Sequence, residues 1–203
     1  MLDLLKKSIA AGCAIAVGSV IYLSLENKIA GAILFSVGLF LICSYGMMLF
    51  TGKIGYVLDN KNNPNCLVIW IGNLIGTLIS CIAVRFARPA LTETASVLVT
   101  NKLAQSPFQT MILAFFCGML MYAAVENFRR HPHEVSGIFG VVMCVSGFIL
   151  CGFEHSIADM CYFIIGVGSP SLLIQSIVYI LLVSVFNGIG SLALKYLLDS
   201  SAK

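Results

Sequence analysis

Six times along this chain a run of about 20 residues passes almost without charge, the length at which an α-helix crosses the hydrocarbon core of a bilayer. The runs extend from about Ser8 to Leu25, Ile29 to Phe50, Cys66 to Ala83, Pro107 to Val125, Gly137 to Phe153 and Ser171 to Leu198. Only 10% of the 203 residues are charged, against roughly a quarter in soluble domains. The expectation is an all-α membrane protein with six transmembrane helices. The first run lacks the short apolar core and small-residue cleavage site of a removable signal peptide, so it is read as part of the fold. Basic residues divide unevenly between the two sides. Lys6, Lys7, Lys53, Lys61, Arg129, Arg130, Lys195 and Lys203 fall on one side, and Lys28, Arg85, Arg88 and Lys102 on the other. That bias predicts a multi-pass protein of the cell membrane with both termini cytoplasmic. The net charge of +3 is scattered, and no basic run with interleaved aromatics marks a nucleic-acid partner. The eight cysteines stand singly in apolar surroundings and read as packing residues, without the paired spacing of a metal site. No cofactor is expected.

Two of the runs end oddly for helices facing lipid. In "LFTGKIGY", Thr51, Gly52, Lys53 and Gly55 follow directly on apolar sequence. In "GFEHSIADM", Gly152, Glu154, His155, Ser156 and Asp159 do the same. Both helices, the second and the fifth, are expected to be interrupted at membrane depth. After each break the chain returns through one short motif, "NLIGTL" from Asn73 and "NGIGSL" from Asn187. The match suggests one domain made of two repeats, about 8–84 and about 107–198. Three spans per half forces the halves into opposite orientations, an inverted 3+3 arrangement. Unwound backbone is tolerated at depth only where it lines a cavity or is buried in protein, so the breaks point to a conduit. Glycine kinks that merely help packing are the alternative. "GNLIG", Gly72 to Gly76, is itself a GxxxG pattern suited to close helix contact within or between protomers.

Ionisable groups inside spans are costly and by default functional. His155 is the only histidine inside a run, since His131 and His133 fall in a polar loop, and an unperturbed imidazole exchanges protons near physiological pH. Glu154, one residue earlier, would point about 100° away on a helix. It reads as a packing anchor that accepts hydrogen bonds from backbone donors freed by a break. Lys102 precedes the fourth run by a few residues. From position alone it reads as a lysine snorkelling to the interface, with an electrostatic lure for anions as the functional alternative.

Taken together, "FSVGLFLICSYGMMLFTG", "WIGNLIGTL" and "GFEHSIADM" resemble the formate/nitrite transporter family, and the similarity continues to "FNGIG" in the last run. The resemblance implies an aquaporin-like fold and a homopentamer with a pore through each protomer. It implies passage of small monovalent anions such as formate, nitrite, lactate, acetate or hydrosulfide. It places Thr51 in the interrupted second helix, facing the pore centre beside His155. Phe35, Leu39, Leu49, Phe50 and Phe148 fall at or near the apolar rings that narrow the pore, with the side each one serves left open, and Met121 takes a further ring position. Asn73 and Asn187 are read as supporting residues. By the same resemblance Lys102 becomes the lysine that lures anions. Two departures from the family pattern stand out, Gly118 where many members carry a pore-lining asparagine and Asp159 where asparagine is usual. An amphipathic amino-terminal helix of longer members is reduced to "MLDLLKK" before the first run.

An isolated charge is far costlier to take out of water than a neutral polar molecule, so apolar rings favour passage of the neutral acid. Lys102 and the positive ends of the broken helices would concentrate the anion, and Thr51 would hold one of its oxygens. His155 either supplies the proton or stays neutral and donates a hydrogen bond; an open channel and a proton-coupled transporter both fit. The partners expected are thus a small anion, protons and the lipid bilayer. An intramembrane enzyme using His155 and Glu154 is disfavoured, because no HExxH motif, no nucleophile elbow and no second intramembrane histidine accompanies them. A non-conducting assembly subunit is a third class. Hydrosulfide and short-chain monocarboxylates are the rival substrates.

Overall fold

The structure, a computed structural model, describes residues 1–59, 64–132 and 134–200. Lys61 and Lys203, counted above toward orientation, and His133 of the polar loop lie outside the described residues. Among the described residues every regular element is helical. Helix α1 (Leu2–Ser24) is followed by α2 (Lys28–Ser44), and the short α3 (Phe50–Lys53) runs into a single 3-10 turn, Ile54–Tyr56. Then come α4 (Cys66–Ala87), α5 (Ala90–Leu103), α6 (Pro107–Arg130), α7 (Val135–Leu150), α8 (Ser156–Gly166) and α9 (Pro170–Ser200). Several starts are capped as their sequences require. The Asn27 side chain accepts from the N–H groups of Ile29 and Ala30, and Ser106 and Gln109 form a capping box with Pro107 at the first helical position.

Four helices, α1, α4, α6 and α9, are long and apolar enough to cross a membrane. The second and fifth expected spans are instead split, between α2 and α3 and between α7 and α8. Large apolar side chains such as Ile79, Phe86, Phe108, Phe139 and Val178 face outward, while Asn73, Glu154, His155, Asp159 and Asn187 are buried. That inside-out distribution belongs to a multi-pass membrane protein.

Three expectations change. The first break lies earlier than its polar residues suggested. The chain leaves the helix at Tyr45–Leu49, turning at Gly46 with φ of 60°, and Thr51 and Gly52 already belong to α3. In the second break, Cys151–His155, Gly152 turns the chain with φ of 65°, and Ser156 and Asp159 lie on α8. Left-handed φ is where glycine is favoured, so the glycines mark the turns and the polar residues mark where helix resumes. Finally, Ala90–Leu103, which none of the six runs included, forms α5 and packs Leu91, Ala95 and Val99 inward. The "GNLIG" pattern serves contact inside the chain. A Cβ at Gly76 would lie 2.1 Å from the Ile9 carbonyl oxygen, so α1 and α4 meet backbone to backbone.

The two breaks are built from matching bonds at a constant offset along the chain. Met47 N–H donates to the Ile42 carbonyl at 2.9 Å, and Phe153 N–H to that of Phe148 at 2.9 Å. Met48 N–H reaches back to the Lys7 carbonyl on α1 at 3.2 Å, and Glu154 N–H to that of Leu113 on α6 at 3.4 Å. The rest is completed by two side chains. The Asn73 amide donates to the carbonyls of Ser8 at 2.7 Å and Met48 at 2.8 Å, while its oxygen accepts from Phe50 N–H at 2.8 Å. The Asn187 amide donates to the carbonyls of Ala114 and Glu154, both at 2.8 Å, and its oxygen accepts from Ser156 N–H at 3.0 Å.

Each asparagine therefore satisfies one donor and one acceptor of the break that no helix can, and ties them to a carbonyl of the neighbouring helix. Replacing Asn73 or Asn187 with leucine leaves one buried N–H and one buried carbonyl of the break unpartnered, and a loss of about 2 kcal/mol or more is expected. Denaturation in detergent micelles followed by circular dichroism checks this, with Ser24→Ala as a control that shifts the midpoint little.

Candidate functional site

Asn73 starts α3 at Phe50, which sets Thr51 in the first turn, fully buried. Asn187 starts α8 at Ser156, which leaves His155 as the residue that caps it. The His155 backbone is extended, with φ −112° and ψ 109°, and its Nδ1 accepts the Ala158 N–H at 3.0 Å. A backbone N–H can only donate, so Nδ1 is the unprotonated nitrogen and the ring hydrogen sits on Nε2. Nε2 lies 2.8 Å from Thr51 Oγ1 and donates to it. The Thr51 hydroxyl keeps its own hydrogen for another acceptor. Phe148 stacks on the imidazole at 5.4 Å, and Phe35 meets Phe148 edge-on at 5.8 Å. The N–H groups of Phe50, Ser156 and Ala158 are thus already taken, which blunts the positive ends that the broken helices were expected to offer an anion.

On one side of the Thr51–His155 pair lies a small cavity of about 90 Å³, bounded by Tyr22, Lys102, Phe148, His155, Asp159 and Tyr162. Lys102, in the last turn of α5, does not snorkel outward. Its side chain is 13% exposed, and its ammonium pairs with Glu154 and, at 2.9 Å, with Asp159 Oδ1. Gln105 Nε2 donates to Glu154 Oε1 at 2.9 Å. The reading of Glu154 as an acceptor of freed backbone donors is therefore corrected. Those donors go to Asn187 and His155, and the carboxylate takes a cation and a carboxamide instead.

On the other side, a cavity of about 260 Å³ is bounded by residues including Ile42, Leu49, Lys53, Val125, Phe128 and Arg129. A cavity of about 650 Å³ shares Lys53 and Arg129 with it and is lined also by Tyr56, Glu126, Arg130 and Lys195. Glu126 accepts from Tyr56 Oη at 2.6 Å, from Arg129 at 2.7 and 2.8 Å, and from Arg130 at 2.7 Å. Sequence reasoning had passed over this group, although a glutamate followed by arginines three and four places on is a legible helix-face pairing.

Phe35, Leu39, Leu49, Phe148 and Met121 are all buried near this centre or in the core around it. Phe148 bounds the cavity that holds Lys102, and Leu49 bounds the opposite one. Phe50, also in the core cluster, borders an apolar groove between α4 and α9 lined by Trp70 and Leu181. Gly118 differs from expectation. A Cβ there would lie 2.1 Å from the Asn187 carbonyl oxygen, so the position faces the seam between α6 and α9, which has no room for an asparagine.

With this geometry in hand, comparisons with known proteins converge. The family model described as formate/nitrite transporter matches residues 1–200. The formate channel FocA of Haemophilus influenzae is 23% identical over 75% of this chain and 62% of its own length. For FocA of Escherichia coli the identity is 26% with the same coverages, and for the nitrite transporter NirC of Escherichia coli it is 24% over 77% of this chain and 65% of NirC. The chain thus spans 62% of the length of the first of these curated relatives. Among solved structures, one described as an FNT family ion channel superposes with a TM-score of 0.87 at 20% identity, covering 100% of this chain and 90% of that one. A pentameric formate channel with formate bound superposes with a TM-score of 0.80 at 20% identity, covering 98% and 97%. These likenesses fix the fold.

The tautomer deduced above is directly measurable. Nitrogen NMR of histidine-labelled protein in micelles at neutral pH is expected to show His155 neutral with its hydrogen on Nε2. Thr51→Val is expected to shift Nε2 while leaving Nδ1 in place; a hydrogen on Nδ1 in the unmodified protein would contradict the assignment.

Proposed function

The chain belongs to the formate/nitrite transporter family, and on that premise we propose that it conducts small monovalent anions, formate or nitrite foremost, which pass its centre as their conjugate acids. The observation that carries the reading is the buried Thr51–His155 hydrogen bond, with Phe148 stacked on the imidazole, Phe35 against Phe148, Leu39 and Leu49 buried in the same core, His155 lining one small cavity and Leu49 another.

A carboxylate or nitrite ion at that point would be an isolated charge among apolar side chains, and its desolvation makes crossing prohibitive. The neutral acid needs only a hydrogen bond. The arrangement offers one in series, from His155 Nε2–H to Thr51 Oγ1 and from the Thr51 hydroxyl to an oxygen of the guest. This supports the route in which His155 stays neutral. Protonating Nδ1 would cost the Ala158 N–H its acceptor, so the proton is better supplied from the cavity side than from the ring. Lys102 serves there as the cation that anions first meet, Asn73 and Asn187 hold the breaks open, and Leu49 and Phe148 narrow the two approaches.

The matching bonds of the two breaks, and the pairing of α1 with α4 and of α6 with α9, support an inverted 3+3 repeat with halves of about 8–84 and about 107–198. A homopentamer with both termini cytoplasmic fits the fold and the basic bias. Hydrosulfide, acetate and lactate remain rivals as substrates within the same mechanism, since a centre tuned to neutral species accepts more than one.

Uptake of radiolabelled formate into proteoliposomes tests the proposal. Saturable, proton-linked uptake is expected. His155→Phe should abolish it, Thr51→Val should lower it by about tenfold, the value of one hydrogen bond in a dry site, and Lys102→Ala should weaken the apparent affinity. Uptake unchanged in His155→Phe would remove the imidazole from the mechanism, and no uptake of any small monovalent anion would remove the function.

A further inference from the structure

The group facing the small cavity is not a lone cation. Lys102 brings one positive charge, and Glu154 and Asp159 bring two carboxyl groups to the same ammonium, all three side chains largely or wholly buried. Gln105 partly satisfies Glu154. Asp159 is less well provided. Its Oδ1 meets Lys102 at 2.9 Å, but its Oδ2 is buried and has no hydrogen-bond partner among the described residues. Asp159 also lines the cavity, together with His155 and Lys102.

The other groups around it do not offset the second carboxylate. His155 is held neutral by its two hydrogen bonds, one at each ring nitrogen. Tyr22 on α1 and Tyr162 on α8 border the same space, the latter with its ring 5.7 Å from the Lys102 ammonium. Cys117 on α6 is buried in the same core, and Tyr179 on α9 donates to Gln105 Oε1 at 3.2 Å. With both carboxyls ionised the cluster is net negative and repels an anion. With a proton on Asp159 it is neutral, and Oδ2, which accepts from no donor among the described residues, gains a hydrogen to donate to a guest in the cavity.

We infer that Asp159 is a specificity-determining residue that makes entry of an anion to this cavity conditional on a proton, so that anion and proton are taken up together. The inference rests on the conduction reading above. The proton resides on Oδ2 and is shared with an oxygen of the arriving anion, while Oδ1 stays on Lys102. An asparagine in this place would leave the lysine open to anions at any pH. Asp159 instead ties capture to acidity on that side of the membrane.

The test is the apparent KM for radiolabelled formate in proteoliposomes, wild type against Asp159→Asn, at two values of external pH. The inference requires the two to agree near about pH 5 and the wild type to bind at least about tenfold more weakly than the variant near about pH 8, the difference being the one negative charge that the variant cannot carry. A merely structural role would shift both pH values alike, and a KM ratio independent of pH overturns the inference. Infrared spectroscopy of the wild-type protein provides a reading that does not depend on how the variant folds. A buried protonated-carboxyl band that shifts when formate is added is expected, and its absence also overturns the inference. If the wild type takes up no formate, nitrite or acetate at either pH, the conduction reading falls and takes this inference with it; flux with an unaltered KM ratio sinks the inference alone.

Discussion

Everything at the centre of this protein depends on two carboxamides. A helix that stops inside a bilayer strands donors and acceptors that water cannot reach, and each would cost free energy comparable to a lost hydrogen bond. Asn73 and Asn187 meet this cost with the same geometry, each taking one N–H and giving to two carbonyls. Each sits on one long helix and reaches both a break and the helix packed beside it. The close backbone contacts of α1 with α4 and of α6 with α9 bring those carbonyls within reach, so the small residues of the seams and the amides of the breaks form one device.

That device fixes the chemistry. Because helix resumes at Phe50 and at Ser156, Thr51 and His155 are aimed at one another. Because Ala158 N–H occupies Nδ1, only Nε2 has a hydrogen to give. The tautomer of His155, the one histidine buried in the core among the described residues, is thereby set by the start of a helix. Around it the side chains sort by kind: apolar ones surround the pair, and charged groups gather farther out, Lys102 with its two carboxyls in one cluster and Glu126 with its arginines in another.

Much of this was legible in the chain and some was not, for reasons that are physical. Long apolar runs announce spans because lipid demands them, and the polar residues after Phe50 and Gly152 announce breaks because charge at depth needs a cause. The site pair Thr51 and His155 was reachable by that logic together with the family likeness. The limits of the first break were not, because its turn is made at Gly46 inside an uncharged stretch, where beside it only Ser44 and Tyr45 interrupt the apolar run. Helix α5 escaped because its window is too polar for a span. The fate of Glu154 escaped because its angle to His155 was judged as on a helix, while the backbone there is extended and its partners, Lys102 and Gln105, are remote in sequence.

Leu49 and His155 hold the same place in their respective breaks, each the last residue before helix resumes. One is inert and the other carries the imidazole. The backbone thus keeps the internal symmetry of the two halves, and this one pair of side chains breaks it. Exchanging the two residues would leave both turns as they are and move the imidazole to the other half.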